Sequence, residues 1–281
     1  MKIRRVLTVL VVLSLVAGFG WWLGQRRPDL PHLRLGPECL VGDEVGLERE
    51  QVANAATVVA VGVRLGMPDR AVVVALATAL QESKLRNLPH LGAANDHDSI
   101  GLFQQRPSQG WGSVDQISDP RYAAEQFYLA LQQVPGWQDM RLTDAAQSVQ
   151  RSAYPEAYQQ WETEAEILAT ALLGHEPAAV HCRSRGAGPD KDLPDGTAAL
   201  GIALARDWGE QVRYAPAEPA GLTVSAPDTP SGWRYAHWLV AHADTYGVTR
   251  VRFADQEWRA AAGAWNAVDT VLDHVRADMA D

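Results

Sequence analysis

Lysine and cysteine are scarce in this 281-residue chain, and positive charge is not in excess. Lysine occurs only at Lys2, Lys84 and Lys191, so arginine supplies most of the basic side chains. The formal net charge is −9 at pH 7, which argues against nucleic acid as a partner because phosphate binding needs basic patches. The length is sufficient for one large or two modest domains, and the composition is that of a globular protein.

The N-terminus has the pattern of a targeting element. Lys2, Arg4 and Arg5 precede an apolar stretch of roughly 19 residues ending near Gly24, close to the length that spans a bilayer as a helix. The basic residues before it predict a cytoplasmic N-terminus and an extracytoplasmic bulk, as in a single-pass protein of the cell membrane. Residues 1–27 are interpreted as an uncleaved signal anchor, since no clear cleavage site follows; a cleaved signal peptide is the alternative.

The chain has only two cysteines, Cys39 and Cys182. Outside the cytoplasm an even number favours a disulfide, which would tie together the two ends of the first predicted domain. In the chain-entropy model so long a loop adds about 4–5 kcal/mol to stability. Two unpaired thiols are the alternative. Zinc is disfavoured because His175, His181 and Cys182 fit no common ligand spacing, and neither a metal nor a cofactor is expected.

The first predicted domain covers residues 47–174 and follows a polar spacer at 28–46. Apolar residues at intervals of three and four predict helices from near Arg49 and from Pro68-Asp69. Residues 87–118 are rich in loop-forming side chains. Further helices are predicted after an Asp119-Pro120 cap, after a Thr143 cap, and from Pro155 to about Gly174.

The second predicted domain covers residues 196–281 and follows a linker at 175–195. Helices are predicted at 198–208, 233–246 and 264–279, and strands at 211–214, 222–225 and 248–253. The chain as a whole is therefore predicted to be α+β, with an N-terminal membrane helix, a mainly α first domain and a small α+β second domain.

The most informative segment is an apolar run that ends in a carboxylate and is followed by a polar turn. Residues 71–80 are almost entirely apolar and lead into Gln81-Glu82-Ser83, and the turn Gly101-Leu102-Phe103-Gln104 follows. A carboxyl group on a buried helix suits the general acid of a glycosidase, because apolar surroundings and the helix C-terminus disfavour its charged form. The alternative is a surface Glu that closes an ordinary amphipathic helix.

These two motifs, in this order, resemble the lysozyme-like lytic transglycosylases, and the resemblance covers residues from about 52 to 165. It implies that Glu82 is the single acid/base that cleaves the MurNAc–GlcNAc bond of peptidoglycan, and that the turn lines the sugar subsites. The candidate substrate-binding residues are Ser83, Gly101, Leu102, Phe103, Gln104, Gln105, Trp111 and Tyr154.

Two of those candidates, Tyr154 and Trp111, are chosen for separate reasons. Tyr154 stands roughly where the family has a tyrosine that faces the catalytic Glu, although the usual Ala-Tyr-Asn-Ala-Gly is replaced here by Ala-Tyr-Pro-Glu-Ala. Trp111 lies in a glycine-flanked loop, where exposed aromatic side chains often stack on sugar rings; packing is the alternative. Trp161 is interpreted as core, and Arg106 as a surface ion pair or a contact to a peptide-stem carboxylate.

The number of acting carboxylates would decide the chemistry. A pair at the right separation would define a hydrolase, whereas a lone Glu suits transglycosylation. The residues just before the turn differ from the family's motif and include Asp96-His97-Asp98. Asp96 and Asp98 are therefore the nearby candidates for a second carboxylate. Turn formation is the alternative role for both.

The second domain is interpreted as non-catalytic. The segment Gly232–Ala243 resembles part of a C-terminal module of secreted actinobacterial proteins that is related to D-Ala-D-Ala carboxypeptidases. A metallopeptidase of that kind needs a His and Asp group in a preceding loop, and residues 209–231 contain no His. His237 and His242 are five positions apart, so they do not share a helix face for chelation.

The sequence thus predicts a membrane-anchored, extracytoplasmic enzyme whose partner is the peptidoglycan glycan strand. The rival hypothesis is a lysozyme-like protein without cleavage activity that binds wall or acts as a scaffold beside an envelope protein partner. The two hypotheses differ in whether Glu82 faces an open cleft or is covered by the loop around Trp111.

Overall fold

The computed structural model describes residues 37–90, 98–184, 196–210 and 212–280. They belong to one compact unit that begins at Pro37. The predicted signal anchor, residues 1–27, lies outside the described residues. Within the part that is described, no helix is both long and apolar enough to cross a membrane. The class is α+β, as predicted.

Helices dominate the first two thirds of the described chain, and strands dominate its end. The α-helices of the described residues are α1 (Arg49–Arg64), α2 (Asp69–Ser83), α3 (Val114–Ile117), α4 (Pro120–Gln132), α5 (Leu142–Gln150), α6 (Glu162–Leu172), α7 (Gly196–Trp208), α8 (Thr229–Ala241) and α9 (Ala243–Tyr246). The strands are β1 (Cys39–Val41), β2 (Val45–Leu47), β3 (Val180–Cys182), β4 (Tyr214–Pro216), β5 (Gly221–Ser225), β6 (Val248–Arg259) and β7 (Ala264–Met279).

Helix α2 lies at the centre of the helical layer. Its residues 71–80 are buried on every side, because the run is apolar all round and packs against α1, α4, α5 and α6. The helix ends at Ser83, and Lys84 caps it in the left-handed conformation with φ of 56°. Glu82 therefore lies on the last turn, where the buried run reaches the surface.

Within residues 47–174, three of the five predicted helix starts are confirmed, and two are wrong. Asp119 caps α4 by accepting a hydrogen bond from the Arg121 amide at 2.9 Å, with Pro120 in the first turn. Thr143 is not a cap, because α5 begins one residue earlier and the Thr143 hydroxyl donates to the Pro155 carbonyl. The helix expected from Pro155 begins only at Glu162, after a 3₁₀ turn at Gln159–Trp161.

A small antiparallel sheet in the order β2-β1-β3 lies in segments that the sequence assigned to a spacer and a linker. Cys39 on β1 stands directly opposite Cys182 on β3, and the predicted disulfide between them is confirmed. It closes a loop with a sequence separation of 143 residues around the helical layer.

The predicted helix at 264–279 is wrong, because this segment is β7, the longest strand of an antiparallel sheet in the order β4-β5-β7-β6. The apolar residues there also occur at alternate positions, and Val275, Ala277 and Met279 are buried on one face. β7 pairs with β5 on one side and β6 on the other, so backbone pairing on both edges stabilises a strand here instead of a helix. The strand predicted at 222–225 is confirmed as β5.

The end of the chain packs closely on the helical layer and the small sheet. Trp258 and Trp265 donate their indole N–H groups to the carbonyls of Cys182 and Val180, at 3.2 and 3.0 Å. Helix α8 also packs against α1 and α6. The division into domains at 47–174 and 196–281 stays a prediction.

Candidate active site

Glu82 is paired with a tyrosine. The Tyr158 hydroxyl donates a hydrogen bond of 2.7 Å to Oε1 of Glu82, from the turn that precedes α6. Burial, and next the negative charge of Glu82, raise the pKa of the Tyr158 phenol, so this group remains a proton donor at neutral pH. Glu82 is half-buried, and among the described residues no hydrogen bond reaches its second oxygen. One carboxylate oxygen is thus oriented, and the other is available.

Ser83 connects the end of α2 to the predicted turn. Its buried hydroxyl lies 2.8 Å from the Leu102 carbonyl and 3.1 Å from the Ala79 carbonyl. Gln150 at the end of α5 donates to the next carbonyl of the turn, that of Phe103, at 2.7 Å. Two helix ends therefore hold the turn beside Glu82.

The turn is a short hairpin closed by a pair of backbone hydrogen bonds between Ile100 and Gln105, at 2.9 and 3.0 Å. Gly101 and Gln104 both have positive φ, at 73° and 47°. A Cβ at Gly101 would lie 2.8 Å from the Ile117 carbonyl, so glycine is required there. Leu102 and Phe103 are fully buried, and their carbonyls accept the hydrogen bonds from Ser83 and Gln150, so neither predicted substrate-binding residue is exposed.

The two glutamines of the hairpin differ in their surroundings. The Gln105 amide is buried and donates to the Ala123 carbonyl at 3.0 Å, so it fixes the hairpin on α4. Gln104 is half-buried and its amide donates locally, to the Gly101 carbonyl at 3.0 Å. Gln104 is therefore the hairpin side chain better placed to contact a ligand.

A polar and aromatic group borders Glu82 on the side of α6. Trp161 and Gln160 both donate to Oε1 of Gln81, at 2.8 and 3.1 Å. The Lys84 ammonium lies 3.9 Å from the centre of the Trp161 ring. Trp161, which was predicted to lie in the core, is half-buried: it packs against the core and also borders the site.

Asp98 is bound within the hairpin. It forms an ion pair of 2.8 Å with Arg106 and accepts hydrogen bonds from the amide and hydroxyl of Ser108, at 2.8 and 2.9 Å. The Arg106 hydrogen bond, followed by the Ser108 amide, holds the pKa of the Asp98 carboxyl well below its usual value. These contacts match the turn-forming role for Asp98 and the ion-pair role for Arg106. Asp96 lies outside the described residues.

The structure brings Tyr158, and not Tyr154, to Glu82. Tyr154 is 76 % exposed, and its amide donates to the Ser152 hydroxyl at 3.2 Å. The sequence pattern did not reveal Tyr158, because the Ala-Tyr motif of the resemblance selected Tyr154. The available signal was a second tyrosine four residues along, followed by two glutamines and a tryptophan.

Trp111 is half-buried against the hydrophobic core, and its carbonyl accepts a hydrogen bond from the Tyr122 hydroxyl at 3.1 Å. This agrees with the packing role. A sugar-stacking role for its exposed edge stays a prediction.

Comparison with known proteins identifies no family for this chain. No protein-family model matches the chain, and no curated protein matches it significantly. Among the described residues there is also no group of three or more side chains that could hold a metal ion. The resemblance therefore rests on the motifs around Glu82 alone.

Two cavities formed by the described residues lie elsewhere. One of about 650 Å³ lies on the last sheet between β4 and β7, and one of about 390 Å³ lies between α1 and the α8–α9 corner. Neither is lined by Glu82 or the hairpin. Residues 91–97, which precede the hairpin, lie outside the described part.

A second group of polar side chains, the Asp207 cluster, is buried beside α1 and α8. The Asp207 carboxylate is fully buried and accepts hydrogen bonds from Arg121, from Thr57 at 3.1 Å and from the Trp238 indole at 2.8 Å. His242 stacks on Trp238 with ring centroids 4.1 Å apart, and its Nδ1 donates to the Trp238 carbonyl at 2.9 Å.

His237 also has a packing role. Its Nδ1 donates to the Ala171 carbonyl at 2.8 Å, and its Nε2 accepts from the Ala179 amide at 3.0 Å. Burial lowers the pKa of His237 to about 4 and also lowers the pKa of His242. Both imidazoles are therefore neutral, hydrogen-bonded parts of the interior.

Proposed function

We propose that the chain is a peptidoglycan-cleaving glycosidase, a lytic transglycosylase that uses Glu82 as its single acid/base. The observation that carries this proposal is the hydrogen bond of 2.7 Å from Tyr158 to one oxygen of a half-buried carboxylate. That carboxylate stands at the end of a buried helix, beside a hairpin held by Ser83. Asp98 lends further support, because its ion pair with Arg106 removes it as a second acting carboxylate.

The proposed reaction has two proton transfers through one residue. Protonated Glu82 donates its proton to the glycosidic oxygen, and the bond from that oxygen to C1 of the MurNAc ring breaks. Glu82, now a carboxylate, takes the proton of the sugar's own 6-hydroxyl, whose oxygen bonds to C1 and closes an anhydro ring. Tyr158 keeps one Glu82 oxygen in place throughout, so that the other oxygen performs both transfers.

The test is incubation of the full chain, in mild detergent, with purified peptidoglycan, followed by mass analysis of the products. Glu82→Gln removes the proton donor with little change of shape, and Glu166→Gln neutralises an exposed carboxylate on α6 as a matched control. We expect anhydro-muropeptides from the unchanged chain and the control, and none from Glu82→Gln.

Other products would redirect the interpretation. Products with reducing ends would mean hydrolysis, and would point to Asp96 as the second carboxylate. Retained binding without any products would refute the enzyme and favour a wall-binding or scaffold role.

A further inference from the structure

Lys84 is held in an uncommon conformation two residues after Glu82. Its φ is 56°, and the following Leu85 has a φ of 58°, both in the left-handed region that non-glycine residues rarely adopt. Asn54 on α1 fixes this backbone by donating to the Leu85 carbonyl at 2.8 Å.

The Lys84 ammonium lies at the rim of the Glu82 site. It stands 3.9 Å from the centre of the Trp161 ring and donates one hydrogen bond of 3.1 Å to the Leu80 carbonyl. Burial lowers the pKa of Lys84, while the charges of Glu164 and Glu82 act in the opposite direction. An ammonium has three donors, and Lys84 forms no ion pair among the described residues, so donors remain for a ligand.

Arg106, a cation of the hairpin, has an ion-pair partner: it is paired with Asp98, at 2.8 Å. Lys84, two residues after Glu82, is exposed and forms no ion pair within the described part of the chain. The Trp161 ring lies under the ammonium and holds it in place, so the remaining donors of Lys84 suit a carboxylate.

We propose that Lys84 and Trp161 form a binding site for a carboxylate of the peptide stem on the glycan strand. The inference rests on the proposed function, because peptide stems carry carboxylates on the same sugar whose bond is cleaved. Lys84 would then select strands that bear stems over bare glycan, and Gln160, anchored to Gln81, would border the stem's backbone.

The first test compares two substrates for the full chain in detergent: glycan strands with their stems, and the same strands after an amidase has removed the stems and left only the lactyl carboxylate on each sugar. The measured quantity is the ratio of the two cleavage rates. We expect Lys84→Gln to lower that ratio about tenfold, as for the loss of one charge-assisted hydrogen bond. Lys84→Arg should retain most of the ratio, and Arg213→Gln, just before β4, is the control for an exposed cation.

An equal fall on both substrates would assign Lys84 a structural role and overturn the proposal. An unchanged ratio in Lys84→Gln would overturn it as well, while leaving the cleavage activity established.

A second test does not depend on cleavage. Because lysine occurs only at Lys2, Lys84 and Lys191, acetylation of the Glu82→Gln chain can be followed at each position by mass spectrometry. Strands with stems should slow the acetylation of Lys84 several-fold, bare strands should not, and the other two lysines are internal controls. Protection without cleavage by the unchanged chain would keep the carboxylate site and refute the enzyme. Equal protection by both kinds of strand, or none by either, would refute the site.

Discussion

Two groups of polar side chains, the Glu82 site and the Asp207 cluster, are each built around a carboxylate. They differ in how many of the carboxylate oxygens already accept hydrogen bonds from within the chain. In the Asp207 cluster the carboxylate is fully buried, and both of its oxygens accept hydrogen bonds from within the chain. In the Glu82 site the carboxylate is half-buried, and the described residues occupy only one of its oxygens.

The difference separates a structural role from a chemical one. A buried polar network whose members are all hydrogen-bonded fixes how two elements pack, here α1 and α4 against α7 and α8. A carboxylate with a single oriented oxygen at a surface site retains capacity for a ligand. Burial and satisfaction of hydrogen bonds therefore distinguish the two groups better than residue type does.

The largest effect is expected from breaking the Asp207 cluster. Asp207→Ala would leave the Trp238 indole and the Thr57 hydroxyl without their buried acceptor, and Arg121 with only its longer pair to Asp119, at a cost of about 3–5 kcal/mol in the free energy of unfolding. The control is Glu125→Ala, which removes the half-exposed ion pair with Arg64 and should cost at most about 1 kcal/mol. Urea unfolding of the full chain in detergent measures both. Equal losses in the two variants would contradict the comparison.

An intermediate effect is expected from pH, through His237. Its folded pKa of about 4 lies below the value of roughly 6.5 for an unfolded histidine. Between these values the unfolded chain binds more protons, so the stability is complete above about pH 6.5 and falls as the pH decreases toward about 4. From about pH 7.5 to about pH 5, His237 alone should account for a loss of about 2 kcal/mol.

His237→Gln, which does not titrate, isolates that contribution. The loss of stability between the two pH values should be smaller in the variant by the amount given. The same loss in both proteins would mean that His237 is not kept neutral by the fold. Urea unfolding at the two pH values makes the measurement.

The helices that position Glu82 could be predicted because their signals are local. The apolar run at 71–80 is long enough to indicate a buried helix, and Asp119-Pro120 is a cap that acts within one turn. The strands at 39–41, 45–47 and 180–182 could not be predicted, since each is three residues long and is stabilised by partners distant in sequence. The helix expected at 264–279 failed for the same reason, because pairing with β5 and β6 overrides a local period.

The residues of the candidate site divide in the same way, into those with a local sequence signal and those without one. Glu82, Ser83 and the hairpin were predictable because they stand next to one another in a motif. The partner of Glu82 depends on where the chain turns before α6, and the Ala-Tyr motif selected Tyr154 in place of Tyr158. A comparison of the two tyrosines therefore tests the site.

The smallest effect is expected from that pair of tyrosines. Tyr158→Phe removes the hydroxyl that orients Glu82 and should lower the cleavage rate about tenfold, equivalent to about 1.4 kcal/mol in the barrier. Tyr154→Phe is the matched control, since its side chain is 76 % exposed, and should leave the rate within about twofold. The rates are measured on purified peptidoglycan, alongside the unfolding free energy of each variant. A larger loss of rate in Tyr154→Phe would restore the tyrosine that the sequence motif favours, and would show that the hydrogen bond from Tyr158 to Glu82 serves packing and not catalysis.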